Sequence, residues 1–202
     1  MAGDRTATSG SGFHLRRQGV GFSSQSVVIL PVDDWVPVGT SEWWILAGIA
    51  AFGRGCDLLS TYLATPGLIL EGNPIARRLG WRWGLVLNGL VVVLAAGWPI
   101  LVVSLATTSI LVAARNLQSA WLMRSMGEWN YRHWMSERLE QGRRSLAWAC
   151  HLGEAALFGL LGLVLLWFSR WQLVPFGMGL GMASYAVAVA GFTSLSLWRS
   201  RH

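Results

Sequence analysis

The sequence predicts an all-α, polytopic integral membrane protein: a helical bundle of about five transmembrane helices with one amphipathic cytoplasmic segment. Three observations lead there. Of the 202 residues, 53% are hydrophobic and only 13% charged, where soluble domains carry about 25% charged residues. Mean hydropathy is +0.44. The apolar residues are also gathered into long runs, and about 20 of them suffice to cross a hydrocarbon core about 30 Å thick.

Residues 1–42 read as an extramembrane tail. They are rich in Gly and Ser, with Arg16-Arg17 in the middle, a composition that does not fold in isolation. Val27 to Val32 (VVILPV), followed by Asp33-Asp34-Trp35, reads as a docking segment rather than a span. No apolar core of the length a cleavable signal needs is visible in this tail.

The first span is predicted over 43–65, with Trp43-Trp44 placed as an aromatic belt and Pro66-Gly67 as its stop. Gly67 to Gly80 then reads as a re-entrant or interfacial piece. From Trp83 to Met123 the chain is almost continuously apolar. About 40 residues at 1.5 Å each make about 60 Å, too long for one span. A hairpin is therefore expected, with spans at 83–103 and 109–123, a turn at Ser104 to Thr108, and a kink at Pro99. Residues 124–145 are polar and read as a cytoplasmic loop, either a helix lying on the membrane surface or a solvated linker. The last two spans are expected at 146–168 and 172–198, joined by a short turn holding Arg170.

The net charge of +6 comes from arginine alone, because the sequence contains no lysine. That usage suits a GC-rich genome and says little about function. In the five-span arrangement Arg77, Arg78, Arg82, Arg124, Arg132, Arg138, Arg143, Arg144, Arg199 and Arg201 share one side. The positive-inside rule then predicts an inner-membrane protein with its N-terminus outside and its C-terminus in the cytoplasm. No basic stripe is interleaved with stacking aromatics, so nucleic acid is not an expected partner. Membrane lipids and other membrane-protein subunits are. Cys56 and Cys150 lie in apolar segments and read as small buried hydrophobes.

The polar residues inside the spans carry the functional expectation, since ionisable groups are costly in lipid and usually have a purpose there. Arg54, Asp57, Thr61, Glu71, Asn73, Asn88, Arg115, Asn116, His151 and Glu154 all fall in the cytoplasmic half of the predicted bundle. Arg54, Asp57 and Thr61 share one helix face, and Arg54 can pair with Asp57. His151 and Glu154 share another. Asp57 and His151, with Glu71, Glu154 and His133 nearby, suggest a divalent-metal site of imidazole and carboxylates; axial ligation of a tetrapyrrole by His151 is a weaker alternative. The bland reading is that these groups join helices. Gly159 with Gly162, and Gly177 with Gly181, have spacings that let helices approach closely.

Asp57-x-x-x-Thr61 followed by Glu71-x-Asn73-Pro74 resembles the signature of an uncharacterised family of small bacterial polytopic membrane proteins. The resemblance covers Arg54 to Asn116. It implies a multi-helix inner-membrane protein in which these polar residues matter, and it implies no activity.

Three functions remain open on the sequence. The foremost is a non-catalytic accessory or assembly subunit of an inner-membrane complex, such as an energy-transducing one, since no catalytic motif is present. The second is an intramembrane metal-assisted enzyme acting on a lipid or peptide bond at the cytoplasmic leaflet. In that case Glu71 or Glu154 is the general base, and Asp57 and His151 are ligands. The third is a small transporter or channel built around the break at Pro66-Gly67.

Overall fold

The computed structural model describes residues 35–71, 74–142 and 144–199. Every regular element among them is a helix: α1 (Ser41–Ala64), α2 (Pro74–Ala95), α3 (Pro99–Met126), α4 (Glu128–Gln141), α5 (Arg144–Phe168) and α6 (Leu173–Arg199). The protein is thus an all-α bundle. Four stretches are long and apolar enough to cross a membrane: Ala76–Ala95, Pro99–Met126, Ser145–Phe168 and Leu173–Leu195. α1 is of matching length, but Glu42, Arg54 and Asp57 make it more polar.

α3 is the central element, packed on one side against α1 and on the other against α6. The Val36 amide donates to the Gly97 carbonyl at 2.9 Å, fastening the start of α1 beside the start of α3. At the other end Glu128, just past α3, meets the residues that follow α1. The two helices therefore run parallel, and a bilayer crossed by α3 is crossed by α1 as well. α6 also runs parallel to α3, because Gly177 faces Val103 while Gly181 faces Ser104 and Thr107. α5 returns antiparallel along α6, with Gly162 against Gly179 and Ala183.

This arrangement gives the bundle two unlike ends. One holds Trp35, the α2–α3 turn and the α5–α6 turn, with Arg170 as the arginine of that turn. The other holds the exposed Arg77, Arg78, Arg124, Arg132 and Arg138. We refer to it as the arginine end.

The close approaches depend on missing side chains. A Cβ on Gly53 would lie 2.8 Å from the Ala106 Cα, so α1 and α3 touch backbone to backbone there. Gly162 and Gly179 do the same for α5 and α6, each within 2.8 Å of the other's carbonyl oxygen if given a Cβ. In lipid, where apolar surface gives no net drive for helices to associate, such packing is a main source of cohesion. Toward the Trp35 end, the core between α1 and α3 contains Trp43, Leu46, Ala50 and Val102.

Several expectations need correction. The hairpin turn is not at Ser104 to Thr108. α3 is continuous through those residues, and the turn lies at Ala96-Gly97-Trp98. Pro99 does not kink a helix; it begins one, where its missing N–H costs nothing. α2 starts at Pro74 rather than Trp83 and is broken at Gly80, whose φ of 65° and ψ of −177° suit a residue without a Cβ. In 124–145, of the two readings offered, the structure has the helix, α4, with Tyr131 buried. Trp44 is exposed as an interfacial residue would be, but Trp43 is buried in the core. Cys150 is exposed and Cys56 half-buried, so neither is a buried core thiol. Of the tail, Trp35 packs edge-on to Trp98 with ring centroids 4.4 Å apart, as a docking residue would. Val27 to Asp34 lie outside the described residues.

Candidate intramembrane polar site

Each polar residue in the bundle's middle would cost free energy if left without a partner, and the helices are arranged so that partners meet. Arg54 is the hub. Its Nη1 donates to Asp57 Oδ2 at 2.7 Å, one turn along α1, and to Ser109 Oγ on α3 at 3.2 Å. Its Nε donates to Asn88 Oδ1 on α2 at 2.6 Å, and Nη2 donates to the same oxygen. Asn88 in turn donates through Nδ2 to the Gly84 carbonyl at 2.7 Å. One guanidinium thus links three helices and offsets the single carboxylate beside it. The Arg54 and Asp57 side chains are 23% and 15% exposed, so the ion pair is largely withdrawn from the surroundings.

Toward the arginine end, Asn116 on α3 donates to Ser60 Oγ at 3.2 Å and Thr61 Oγ1 at 3.1 Å. The Ser60 hydroxyl donates in turn to the Asp57 backbone carbonyl at 2.8 Å. Arg54, Asp57, Thr61, Asn88 and Asn116 therefore belong to one contiguous network. Asn88 lies about 12 Å along α2 from the break at Gly80, by the rise per residue, and there meets Arg54.

A second cluster lies on the far side of α3. Glu154 Oε1 accepts from the Tyr185 hydroxyl at 2.8 Å and is 3.5 Å from Arg115 Nη1. His151 is close enough to feel both charges. Tyr185 is almost wholly buried and packs edge-on to Phe158. The predicted polar set is thus divided by α3 into an Arg54 group and a Glu154 group. Among the described residues no three His, Cys, Asp or Glu side chains are grouped as a metal ion would require. Asp57 and His151, expected to share an ion, belong to different groups. His133, the further ligand considered, pairs instead with Glu137 at 3.2 Å on the exposed face of α4. Glu71 is near enough for its charge to bear on Asp57; Asn73 lies outside the described residues.

Two participants were missed. Tyr185 reads in the sequence as one more apolar residue of a span. Glu128 reads as an ordinary acidic residue at a helix start, yet its carboxylate accepts three hydrogen bonds at the arginine end. Its Oε2 accepts from the Thr65 hydroxyl at 2.5 Å and the Ile69 amide at 3.0 Å, while Oε1 accepts from the Gly67 amide at 2.6 Å. Burial alone would raise its pKa. The Thr65, Gly67 and Ile69 donors and the Arg124 charge outweigh it and hold the carboxyl below its ordinary value.

Among the described residues the one buried side-chain polar atom without a partner is Trp43 Nε1, at the opposite end of α1. No protein-family model matches this chain, and comparison with curated proteins and with solved structures gives no match.

Proposed function

We propose that the chain is a non-catalytic accessory subunit of an inner-membrane assembly. In this reading its polar interior fastens its own helices, and its bare lateral faces meet partner subunits and lipid. The observation that carries the proposal is the commitment of the intramembrane polar groups. Arg54 is engaged by Asp57, Asn88 and Ser109, Asn116 by Ser60 and Thr61, and Glu154 by Tyr185 and Arg115. A reaction centre needs a nucleophile or base aimed at open space. These groups are aimed at one another, as in helix-to-helix fastening.

The charge distribution supports an orientation with the arginine end in the cytoplasm and Trp35 outside. It also supports the Asp57, Thr61 and Glu71 signature acting as a structural one, since Asp57 and Thr61 are both spoken for within α1 and α3.

The native mass of the tagged protein, extracted gently from its own membranes, tests this. A large defined assembly is expected, and its companions would name the process. A lone monomer or small homo-oligomer would overturn the proposal. A second reading, an enzyme or transporter, rests on the influence of the Glu71 charge on Asp57. In that case Glu71→Gln would abolish function while leaving the native mass unaltered.

A further inference from the structure

α2 differs from the other long helices in how little protein covers it. Only 6% of its apolar stretch is buried, the lowest of the four, against 11% for the stretch in α5, 28% for that in α3 and 33% for that in α6. It is held to the bundle by polar contacts at two points: Asn88 by Arg54, and Trp81, whose Nε1 donates to the Pro66 carbonyl at 2.8 Å while its ring packs against Tyr62. Its last turn also packs into the core through Val92 and Ala95. Between these contacts it presents bare apolar side chains, among them Val86 at 62% exposed.

The first turns of α2 have the opposite chemistry. Arg77, Arg78 and Arg82 fall within six residues, are exposed, and make no ion pair with another described residue. This separates them from Arg54 and Arg115, which are paired. The backbone changes direction at Gly80, between the first two arginines and the third. The stretch around Arg77 and Arg78 is therefore a short helical segment of its own, set off from the long apolar run that begins at Trp81. Trp83, 66% exposed, lies at the junction, where an amphipathic ring suits the headgroup level.

Exposed guanidiniums at the foot of a sparsely covered apolar helix fit one ligand chemistry. A phosphate group can take the planar, forked donors of arginine, and hydrocarbon chains can lie along the bare helix above it. We propose that the elbow of α2 is a binding site for an acidic phospholipid, with the headgroup phosphate on Arg77, Arg78 and Arg82 and the acyl chains along Trp83 to Leu94. The lipid is preferred over a free phosphate because the apolar surface continues directly from the basic one. The inference stands independently of the subunit reading.

The test is lipid titration of the purified protein in detergent micelles, read by native mass spectrometry. The probes are phosphatidylglycerol, phosphatidylcholine with the same acyl chains, and glycerol phosphate as the headgroup without chains. Near an anionic surface each basic residue strengthens attraction by roughly fivefold. Three partly engaged arginines should therefore favour phosphatidylglycerol over phosphatidylcholine by at least about tenfold. The triple substitution Arg77→Gln, Arg78→Gln, Arg82→Gln should remove that preference, and Arg132→Gln on α4 at the same end should keep it. Glycerol phosphate should not compete at millimolar concentration. Absence of a preference in the unaltered protein overturns the proposal whether or not the triple variant folds. So does a preference that survives in the triple variant or falls equally in Arg132→Gln. Competition by glycerol phosphate overturns the lipid assignment in favour of a plain anion site.

Discussion

The Glu128 carboxylate, at the start of α4, accepts a 2.6 Å hydrogen bond from the amide of Gly67, 61 residues earlier in the chain. With the Thr65 hydroxyl and the Ile69 amide, the loop after α1 forms a receptor with the side chain of another helix inside it. Charge-assisted bonds of this kind fix geometry as well as adding stability.

Glu128 should make stability depend on acid. Its carboxyl titrates below its ordinary value in the folded protein, so the unfolded chain takes up the proton first. The stabilisation is therefore present in full above the unfolded value, near 4.5. It is lost as pH falls from there through the lower folded value. Thermal unfolding in detergent should show a fall in midpoint across that window, and Glu128→Gln should flatten it. At neutral pH the substitution should cost about 1–2 kcal/mol, the lower part of the range for bonds to charged groups, because the side chain is partly solvated. An unchanged acid slope in Glu128→Gln would assign the effect elsewhere.

Arg54 should be the most costly single position in the interior. Arg54→Met leaves Asp57, Asn88 and Ser109 without their donor, and breaking one side of a buried pair typically costs about 3–5 kcal/mol. The double change Arg54→Met, Asp57→Leu should recover a large part of that loss. A thermal double-mutant cycle reads the coupling. If the double variant is no better than the single one, the ion pair is not what Arg54 chiefly serves.

Gly53 and Gly55 form a matched pair. A Cβ at Gly53 meets Ala106 backbone at 2.8 Å, whereas one at Gly55 meets nothing within 4 Å. Gly53→Ala should push α1 from α3 and cost about 1–3 kcal/mol, the usual range for overpacking. Gly55→Ala should be neutral or stabilising by up to about 1 kcal/mol, through the reduced freedom of the unfolded chain. Equal responses would mean that α1 and α3 are not in backbone contact.

Orientation can be read with cysteine chemistry. In a Cys56→Ser, Cys150→Ser background, Gln172→Cys places a thiol in the α5–α6 turn and Ser125→Cys places one at the arginine end; both positions are exposed. A membrane-impermeant maleimide should label Gln172→Cys on intact spheroplasts and Ser125→Cys only after permeabilisation. The reverse pattern would invert the proposed topology.

The helical class was legible because it depends on bulk apolarity, which composition reports directly. The position of the α2–α3 turn was not. Between Trp83 and Met123 the polar stretch at Ser104 to Thr108 is the conspicuous break, whereas the turn falls at the small residues before Pro99. Inside a helix the hydroxyls of the polar stretch can bond back to the chain. Thr108 donates to the Ser104 carbonyl at 2.9 Å and to Gly181 on α6 at the same distance. Pro99 reads equally as an interior kink or a first residue, and only the neighbouring helices decide. In the site, Arg54 with Asp57 was readable from spacing along one helix. The separation of Asp57 from His151 was not, because it depends on α3 lying between them. Glu128 left no trace in composition because its partners are largely backbone amides, which every sequence has.

The tie at Glu128 has a consequence for how the chain is made. During synthesis the Gly67 and Ile69 amides emerge 61 and 59 residues ahead of the carboxylate that receives them. At about 5–20 residues per second, that is an interval of roughly 3–12 s. Over that interval α1 and α2 are in place without the neighbour that holds them, since α3 arrives last and runs alongside α1. The contact that joins the loop after α1 to the far end of α3 is therefore a late one, made only once α3 has been synthesised.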